Sequence, residues 1–278
     1  MKITKKYQLI FLFVFLISNI VFAQKTKIIS YNIRYANEMD KENNWEDRKH
    51  KILSLLKYNN PAIFGIQEGL ISQVKYINRS LPNYRYIGAG RDGKNKGEFS
   101  AIFYDITKFN LIESNTFWLS ETPNTISIGW DANLKRICTY GLFEKIATKE
   151  KVWVFNTHFD HIGKTAREKS ASLISTKINQ INTHNYPVVL MGDFNVTPTE
   201  KPIKTLKTNL NEALEISEKP LIGPKGTFNN FSLEKVEKRI DYFFTKNLTV
   251  LSYIHIDDLL NNSSHISDHL AIMVTLKF

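Results

Sequence analysis

The chain has 278 residues, 42% hydrophobic and 12% aromatic, with a formal net charge of +10 and one cysteine. That composition excludes a disordered chain, and a lone Cys138 excludes an intrachain disulfide framework. The basic balance suits an anionic substrate, but many solvated surfaces are equally basic, so charge alone excludes little.

Residues 1–23 read as an export signal. Lys2, Lys5 and Lys6 form a basic start, Leu9–Phe22 is almost wholly apolar, and Val21-Phe22-Ala23 has the small-x-small pattern of a cleavage site before Gln24. The apolar run is short for the about 20 residues a bilayer span needs, so cleavage is expected rather than stable membrane insertion. An exported bacterial protein, periplasmic or secreted, is the expectation. Without those three lysines the net charge is +7. No linker or repeat divides residues 24–278, which predicts one monomeric domain large enough to bury a core without staples.

Lys27–Ile33 (KIISYNI) predicts a first strand ending at Asn32. In the helix that follows, Asn43 or Asn44 suits the N-cap, Glu46 and Asp47 the positive end of the dipole, and Ile52, Leu53, Leu55 and Leu56 the inner face. Asn59-Asn60-Pro61 stops it. Ala62–Ile66 is a second apolar strand that delivers Gln67 and Glu68. Val74, Ile77 and Leu81 mark a short helix, and Tyr84–Gly88 a strand. Gly90–Gly97 (GRDGKNKG) lacks the spacing of a phosphate-cradling loop and no helix follows it, which leaves a hairpin loop. Strands are predicted at Glu98–Tyr104, Phe109–Trp118, Arg136–Ile146 and Lys151–Thr157, then a long helix, Thr165–Thr183, with Ile174, Ile178 and Ile181 inward. After a strand at 187–191, residues 200–238 show little periodicity, and strands at 239–245, 248–256 and 270–276 complete the chain. The incomplete alternation excludes a doubly wound parallel sheet and predicts two mixed sheets packed face to face with helices outside.

Five strand ends carry chemically useful groups: Asn32, Glu68, His158 with Asp160, Asp193 with Asn195, and Asp241. Ser267-Asp268-His269 precedes the last strand. In MGDFN (191–195), Gly192 permits close backbone approach, and Asp193 and Asn195 fall on one side of the strand with Phe194 turned to the core. Each group singly has an ordinary explanation as a strand stop; their shared position after apolar runs points to a site. Trp118, Trp130 and Arg136 fall near its mouth, where aromatics beside an arginine suit a sugar or base next to a phosphate.

Ser30-Tyr31-Asn32-Ile33-Arg34, Gly65-Ile66-Gln67-Glu68, Asn156-Thr157-His158-Phe159-Asp160, Gly192-Asp193-Phe194-Asn195, Arg239-Ile240-Asp241-Tyr242-Phe243 and Ser267-Asp268-His269 occur in this order. Together they resemble the endonuclease/exonuclease/phosphatase superfamily, from about Lys27 to Phe278. Phe117-Trp118-Leu119-Ser120, Gly129-Trp130-Asp131 and Arg136-Ile137-Cys138-Thr139 are similar to a bacterial secreted subgroup, nearer the deadenylase-type exonucleases than the apurinic endonucleases. The resemblance implies an α/β fold, a four-layer sandwich of two mixed β-sheets flanked by helices (DNase I-like). It implies a phosphoesterase hydrolysing a mono- or diester by metal-assisted attack of water, with Mg²⁺ as the cofactor and Mn²⁺ as the alternative.

In that reading Glu68 is the metal ligand, supported by Asn32 and Asp268. Asp193 orients or deprotonates the water, Asn195 donates to a phosphate oxygen, Asp241 holds His269, and His158 meets the phosphate or the leaving group. Arg34, Trp130, Arg136 and Asp160 are implied as substrate contacts. Arg34 stands where apurinic-type relatives carry a second acid, which favours one cation over two. The substrate stays open between a phosphorylated small molecule, a glycan and a nucleic acid, as does nuclease against sugar or lipid-head-group phosphatase. A catalytically silent binding module of the same fold is the competing class. Such a site requires Glu68, His158, Asp193, Asn195, Asp241 and His269 within about 10 Å of one point. It also requires Asp241 and His269 to approach to roughly 2.6–3.2 Å.

Overall fold

The computed structural model describes residues 25–257 and 264–278; the leader predicted at 1–23 lies outside the described residues. The first half of the chain forms β1 (Thr26–Asn32), α1 (Trp45–Asn59), β2 (Ile63–Gln67), α2 (Ile71–Ser80), β3 (Tyr84–Ile87), β4 (Ile102–Asp105) and β5 (Phe109–Trp118). The second half forms β6 (Ile137–Lys145), β7 (Lys151–His158), α3 (Lys164–Ile181), β8 (Val188–Asp193), α4 (Lys201–Leu206), β9 (Asn211–Glu212), β10 (Asp241–Lys246), β11 (Thr249–His255) and β12 (Ile272–Lys277). One six-stranded sheet has the order β11-β12-β1-β2-β4-β3 and the other β5-β6-β7-β8-β10-β9. Parallel pairing occurs at β1–β2 and β7–β8, and the neighbouring pairs are antiparallel.

Three apolar layers hold the four structural layers together. Ile28, Ile63, Ile102, Phe143, Val154, Val189, Met191 and Val274 pack between the two sheets. Ile52, Leu56, Val74 and Ile77 of α1 and α2 pack on Phe64, Ile66 and Phe103 of the first sheet. Ile174 and Ile178 of α3 and Ile203 of α4 pack on Phe155, Leu190 and Phe244 of the second. Strands β2 and β8 are therefore buried on both faces, which is why they read as continuous apolar runs rather than alternating ones. The sheets come closest beneath the ends of these strands. A Cβ on Gly65 would sit 2.5 Å from the Met191 side chain and 2.7 Å from that of Asn156. Gln67 Nε2 donates to Asn156 Oδ1 (2.6 Å), and Asn156 Nδ2 donates to the Ile66 and Ala101 carbonyls (both 2.9 Å). A buried amide pair thus stitches one sheet to the other.

Asn44 caps α1, accepting from Asp47 N, and Asn60 ends it in the left-handed conformation, φ 45°. Three local expectations are revised. The strand predicted at Glu98–Tyr104 begins only at Ile102, because Phe99 bridges both Gly69 and Gly90 and carries its segment out of the ladder. The aperiodic stretch 200–238 contains α4 and the two-residue β9, both too short for a periodic signal. The strand through MGDFN stops at Asp193, and Asn195 follows at φ 51°. Asp193 and Asn195 are therefore brought together by a turn, Asn195 N donating to Asp193 Oδ1 at 2.9 Å, and not by strand alternation.

Arg48 of α1 is buried, 3% exposed. Its guanidinium donates to the carbonyls of Asn43, Ile33, Ile266 and Arg34 (2.6–3.2 Å), tying α1 to the loops after β1 and before β12. Arg48→Met orphans these acceptors and is expected to cost about 3 kcal/mol in denaturant unfolding. A loss near zero would mean that water replaces the guanidinium.

Candidate active site

Register brings the polar strand ends together. His158 is paired with Asp193 across the parallel β7–β8 ladder, and Asp241 with Asp193 across the antiparallel β8–β10 ladder. In the other sheet Asn32 is paired with Gln67, so Glu68 leaves β2 beside the end of β1. Gly192 makes the β7–β8 approach possible: at φ 147°, a Cβ there would lie 2.0 Å from the Thr157 carbonyl oxygen. Arg34, Glu68 and Asn195 all have positive φ (54°, 63° and 51°), a conformation that costs a side-chain-bearing residue of order 1–3 kcal/mol. Such strain gathers where side chains must be aimed.

Asp193 is the hub. Its Oδ2 accepts from Asn32 Nδ2 (3.1 Å) and lies 3.4 Å from His158 Nε2 and 3.6 Å from His269 Nε2. Asn32 Nδ2 also donates to Glu68 Oε1 (3.1 Å), so one amide links both carboxylates. Asp241 stands behind His269, Oδ2 to Nδ1 at 2.9 Å, within the expected separation. Thr227 holds that pair in place: its Oγ1 accepts from Asp241 N (3.2 Å) and its carbonyl from Leu270 N (2.7 Å). Phe228 packs edge-on against the His269 ring, centroids 5.0 Å apart.

The electrostatics divide the histidines. Burial alone would lower the His269 pKa, but the charges of Asp241 and Asp193 outweigh it and push it up to about 10, so this ring is a cation. His158 is held well below its ordinary value by burial and by the Arg136 charge, so this ring is neutral. Burial raises Asp193 to about 7 against the lowering effect of His269. Asp268 is also raised, by burial and by the nearby Glu68 charge.

A model of the endonuclease/exonuclease/phosphatase family matches residues 29–269. The chain belongs to that family. A family protein from Bacteroides thetaiotaomicron has a solved structure 38% identical to this chain, covering 92% of it and 98% of its own length, with a TM-score of 0.88. A mannosyl-6-phosphatase of the same organism is 38% identical over 91% of this chain and 100% of its own, TM-score 0.87. A family protein from Bacteroides vulgatus is 35% identical over 92% and 99%, TM-score 0.87. The two six-stranded sheets with flanking helices are the DNase I-like sandwich of this family.

Family enzymes are phosphoesterases, and their chemistry calls for a divalent cation. Two acidic groups are close enough to be tested for fit. Ligand atoms of Asp193, Asp241 and His269 lie within 4.8 Å of one another. Their closeness is explained by the Asp241–His269 hydrogen bond and the charged ring, and a cation at their centre would have to displace a proton from that ring. Glu68 and Asp268 fit better. Both face the pocket, Arg34 reaches Asp268 only at 3.7 Å, and oxygen donors with room for water suit a hard ion such as Mg²⁺.

The pocket has a volume of about 530 Å³, and Arg34, Glu68, Arg136, His158, Asp193, Asn195, Asp268 and His269 line it. Two of the residue roles implied by the resemblance need correction. Asp160 does not face the pocket: its carboxylate accepts from the N–H groups of Asn133, Leu134, Ile162 and Gly163 (2.7–3.2 Å) and sits 3.4 Å from Arg136 Nε. Trp130 is not among the lining residues; its motif serves α3, whose first N–H groups, on Thr165 and Ala166, donate to the Asp131 carboxylate at 3.0 and 2.6 Å. Asn195 lines the pocket, with its Nδ2 3.1 Å from His158 Nε2 and donating to the Phe159 carbonyl at 3.0 Å. Asn32 accepts from the Arg34 N–H (3.1 Å) and donates to Glu68, so it steadies that carboxylate as the resemblance implies.

Sequence reasoning missed Arg91, Glu98, His161, Phe228, Asn230 and Lys238, all of which line the pocket. Arg91 lies within the Gly90–Gly97 hairpin loop and Glu98 just after it, and they pair in two contacts, 2.7 and 2.9 Å. Phe228 and Asn230 lie in the aperiodic stretch, which carries no local signal. His161 neighbours Asp160 and contacts Arg136 Nη2 through Nδ1 (3.0 Å).

Proposed function

We propose that this chain is an exported, divalent-metal-dependent phosphatase that hydrolyses the phosphate monoester of a sugar. The observation that carries the reading is the pocket itself. Glu68, Asp268 and the buried Asp193 share a cavity of about 530 Å³ with Arg34, Arg91, Arg136 and Lys238, so four cations line one cavity. A single phosphorylated sugar suits that arrangement; a strand needs basic groups spread along its backbone. The 38% identical mannosyl-6-phosphatase supports the choice of substrate class, and the basic–apolar start of the chain supports export.

Glu68 and Asp268 would hold the cation, with Asn32 fixing Glu68. When bound, the cation neutralises phosphate charge in the transition state. Asp193, with its pKa raised to about 7 and both oxygens oriented by Asn32 and the Asn195 N–H, takes a proton from the attacking water. The charged His269, held by Asp241, directs its Nε2 proton toward developing negative charge on the phosphoryl oxygens. Neutral His158, oriented by Asn195, stands on the leaving-group side, and Arg136 is fixed by Asp160 to complement the phosphate.

The test is a substrate panel with Mg²⁺: mannose 6-phosphate, p-nitrophenyl phosphate, its bis ester, and plasmid DNA. The sugar monoester is expected to exceed the diester in kcat/KM by roughly a hundredfold. Plasmid nicking lost in Asp193→Asn, with no sugar-phosphate turnover, would replace this reading with a nuclease. No turnover of any ester would leave a binding module.

A further inference from the structure

A second groove is bordered by Gly88 and Ala89, the residues that lead into the Gly90–Gly97 loop. It has a volume of about 570 Å³ and is lined by Trp118, Tyr140, Asn115, Asn124, Gln180 and Lys177 among others. The Tyr140 ring is half-buried and backed by Phe155, with centroids 5.4 Å apart and planes 24° apart. Trp118 is also half-buried, and its indole Nε1 donates to the Arg91 carbonyl at 2.8 Å. The Arg91 side chain lines the catalytic pocket and pairs there with Glu98. Arg91 therefore links the two cavities, its carbonyl holding the Trp118 indole that lines the groove and its side chain lining the pocket. A salt bridge between Asp92 and Lys135 (2.9 Å) pins the loop between them.

The lining names a ligand class. Aromatic rings offer apolar faces to the C–H side of a sugar ring, and the three amides offer paired donors and acceptors for hydroxyls. Among the described residues Lys177 is the one cation in the lining, and no carboxylate lines it. A nucleic-acid strand would call for several cations, so a neutral polyhydroxylated chain fits better. From these observations we infer that the Trp118–Tyr140 groove is a glycan subsite, which holds the unphosphorylated part of an oligosaccharide whose phosphorylated sugar occupies the catalytic pocket. The inference rests on the sugar-phosphatase reading for its reaction but not for its binding. Arg91 is the hinge point over which the chain passes.

The experiment has two arms. In the first, kcat/KM is compared for mannose 6-phosphate and a manno-oligosaccharide bearing one terminal 6-phosphate. The longer substrate is expected to be about tenfold better, worth about 1.4 kcal/mol of added binding. Ala89→Trp, which fills the groove, and the Asn124→Ala/Gln180→Ala double variant, at exposed positions, are expected to erase that preference without changing turnover of mannose 6-phosphate. In the second arm, binding of the unphosphorylated manno-oligosaccharide is followed by titration calorimetry, which needs no catalysis. Binding that Ala89→Trp abolishes supports the groove even if no phosphate ester is turned over, in which case the phosphatase reading alone falls. Equal kcat/KM for both lengths with no calorimetric binding overturns the groove and leaves the phosphatase reading standing. Binding of a single-stranded oligonucleotide that Ala89→Trp blocks, with none of the glycan, overturns it as well.

Discussion

Asp193→Asn is expected to lower kcat by about 10³-fold while leaving the protein as stable as the parent or slightly more so. General-base catalysis contributes about 10²–10⁴-fold, and an amide cannot accept the proton. Its volume survives the change, and the amide oxygen still accepts from one of the two donors, Asn32 Nδ2 or Asn195 N, so the site keeps its outline at the loss of one hydrogen bond, which removal of the buried charge offsets. Stability should not fall, because burial raises the Asp193 pKa and the fold therefore disfavours its charged form. Turnover at saturating Mg²⁺ and thermal unfolding, measured on the same preparation, separate the two effects. A loss of activity accompanied by a drop in Tm would make Asp193 structural, and a kcat within a few-fold of the parent would remove it from the chemistry.

Asp160→Ala is expected to do the reverse, destabilising the protein by about 3–5 kcal/mol because it orphans buried donors and leaves a buried arginine unpaired. Four backbone N–H groups and Arg136 converge on this carboxylate, which is 2% exposed. Burial would raise its pKa, but the N–H donors of Gly163, Asn133 and Ile162 outweigh that and hold it at about 2. The unfolded value is about 3.9, so the group contributes stability that is fully present above roughly pH 4 and fades as the pH falls toward 2. Denaturant unfolding between pH 7 and pH 3 checks both points. The parent should lose part of its stability at the acid end, and Asp160→Ala should start lower and depend less on pH there. Parent-like stability in the variant would mean that the loop 131–134 is held by something else.

These two aspartates show how far the sequence could be read. Asp193 was legible because it ends an apolar run and Asp241 because it opens one, and register across β8 and β10 then sets them opposite each other. Asp160 has the same local signature, a carboxylate just past the strand end after His158. What assigns it is the loop at 131–136, about thirty residues earlier in the chain, which folds its N–H groups onto the carboxylate. Arg48 carried no signal in the sequence for a related reason. Its helical position looks solvated until β1 and the segment before β12 close over it. Arg91 and Glu98 belong to a loop whose composition shows a turn, and only the indole of Trp118 and the Asp92–Lys135 bridge decide which way it faces. Short-range pattern thus located the strand ends; which of them face the pocket depends on contacts between distant segments.

Hydrolysis of p-nitrophenyl phosphate by metal-stripped enzyme, followed as Mg²⁺ is restored, reads the proposed centre most directly when parent and Glu68→Gln are compared. The parent should be silent in chelator and recover fully, whereas the variant should need at least about tenfold more Mg²⁺ for half its activity, since it offers a neutral amide in place of a charged ligand. Full turnover in excess chelator, or an unchanged Mg²⁺ requirement in Glu68→Gln, would contradict a cation held by Glu68.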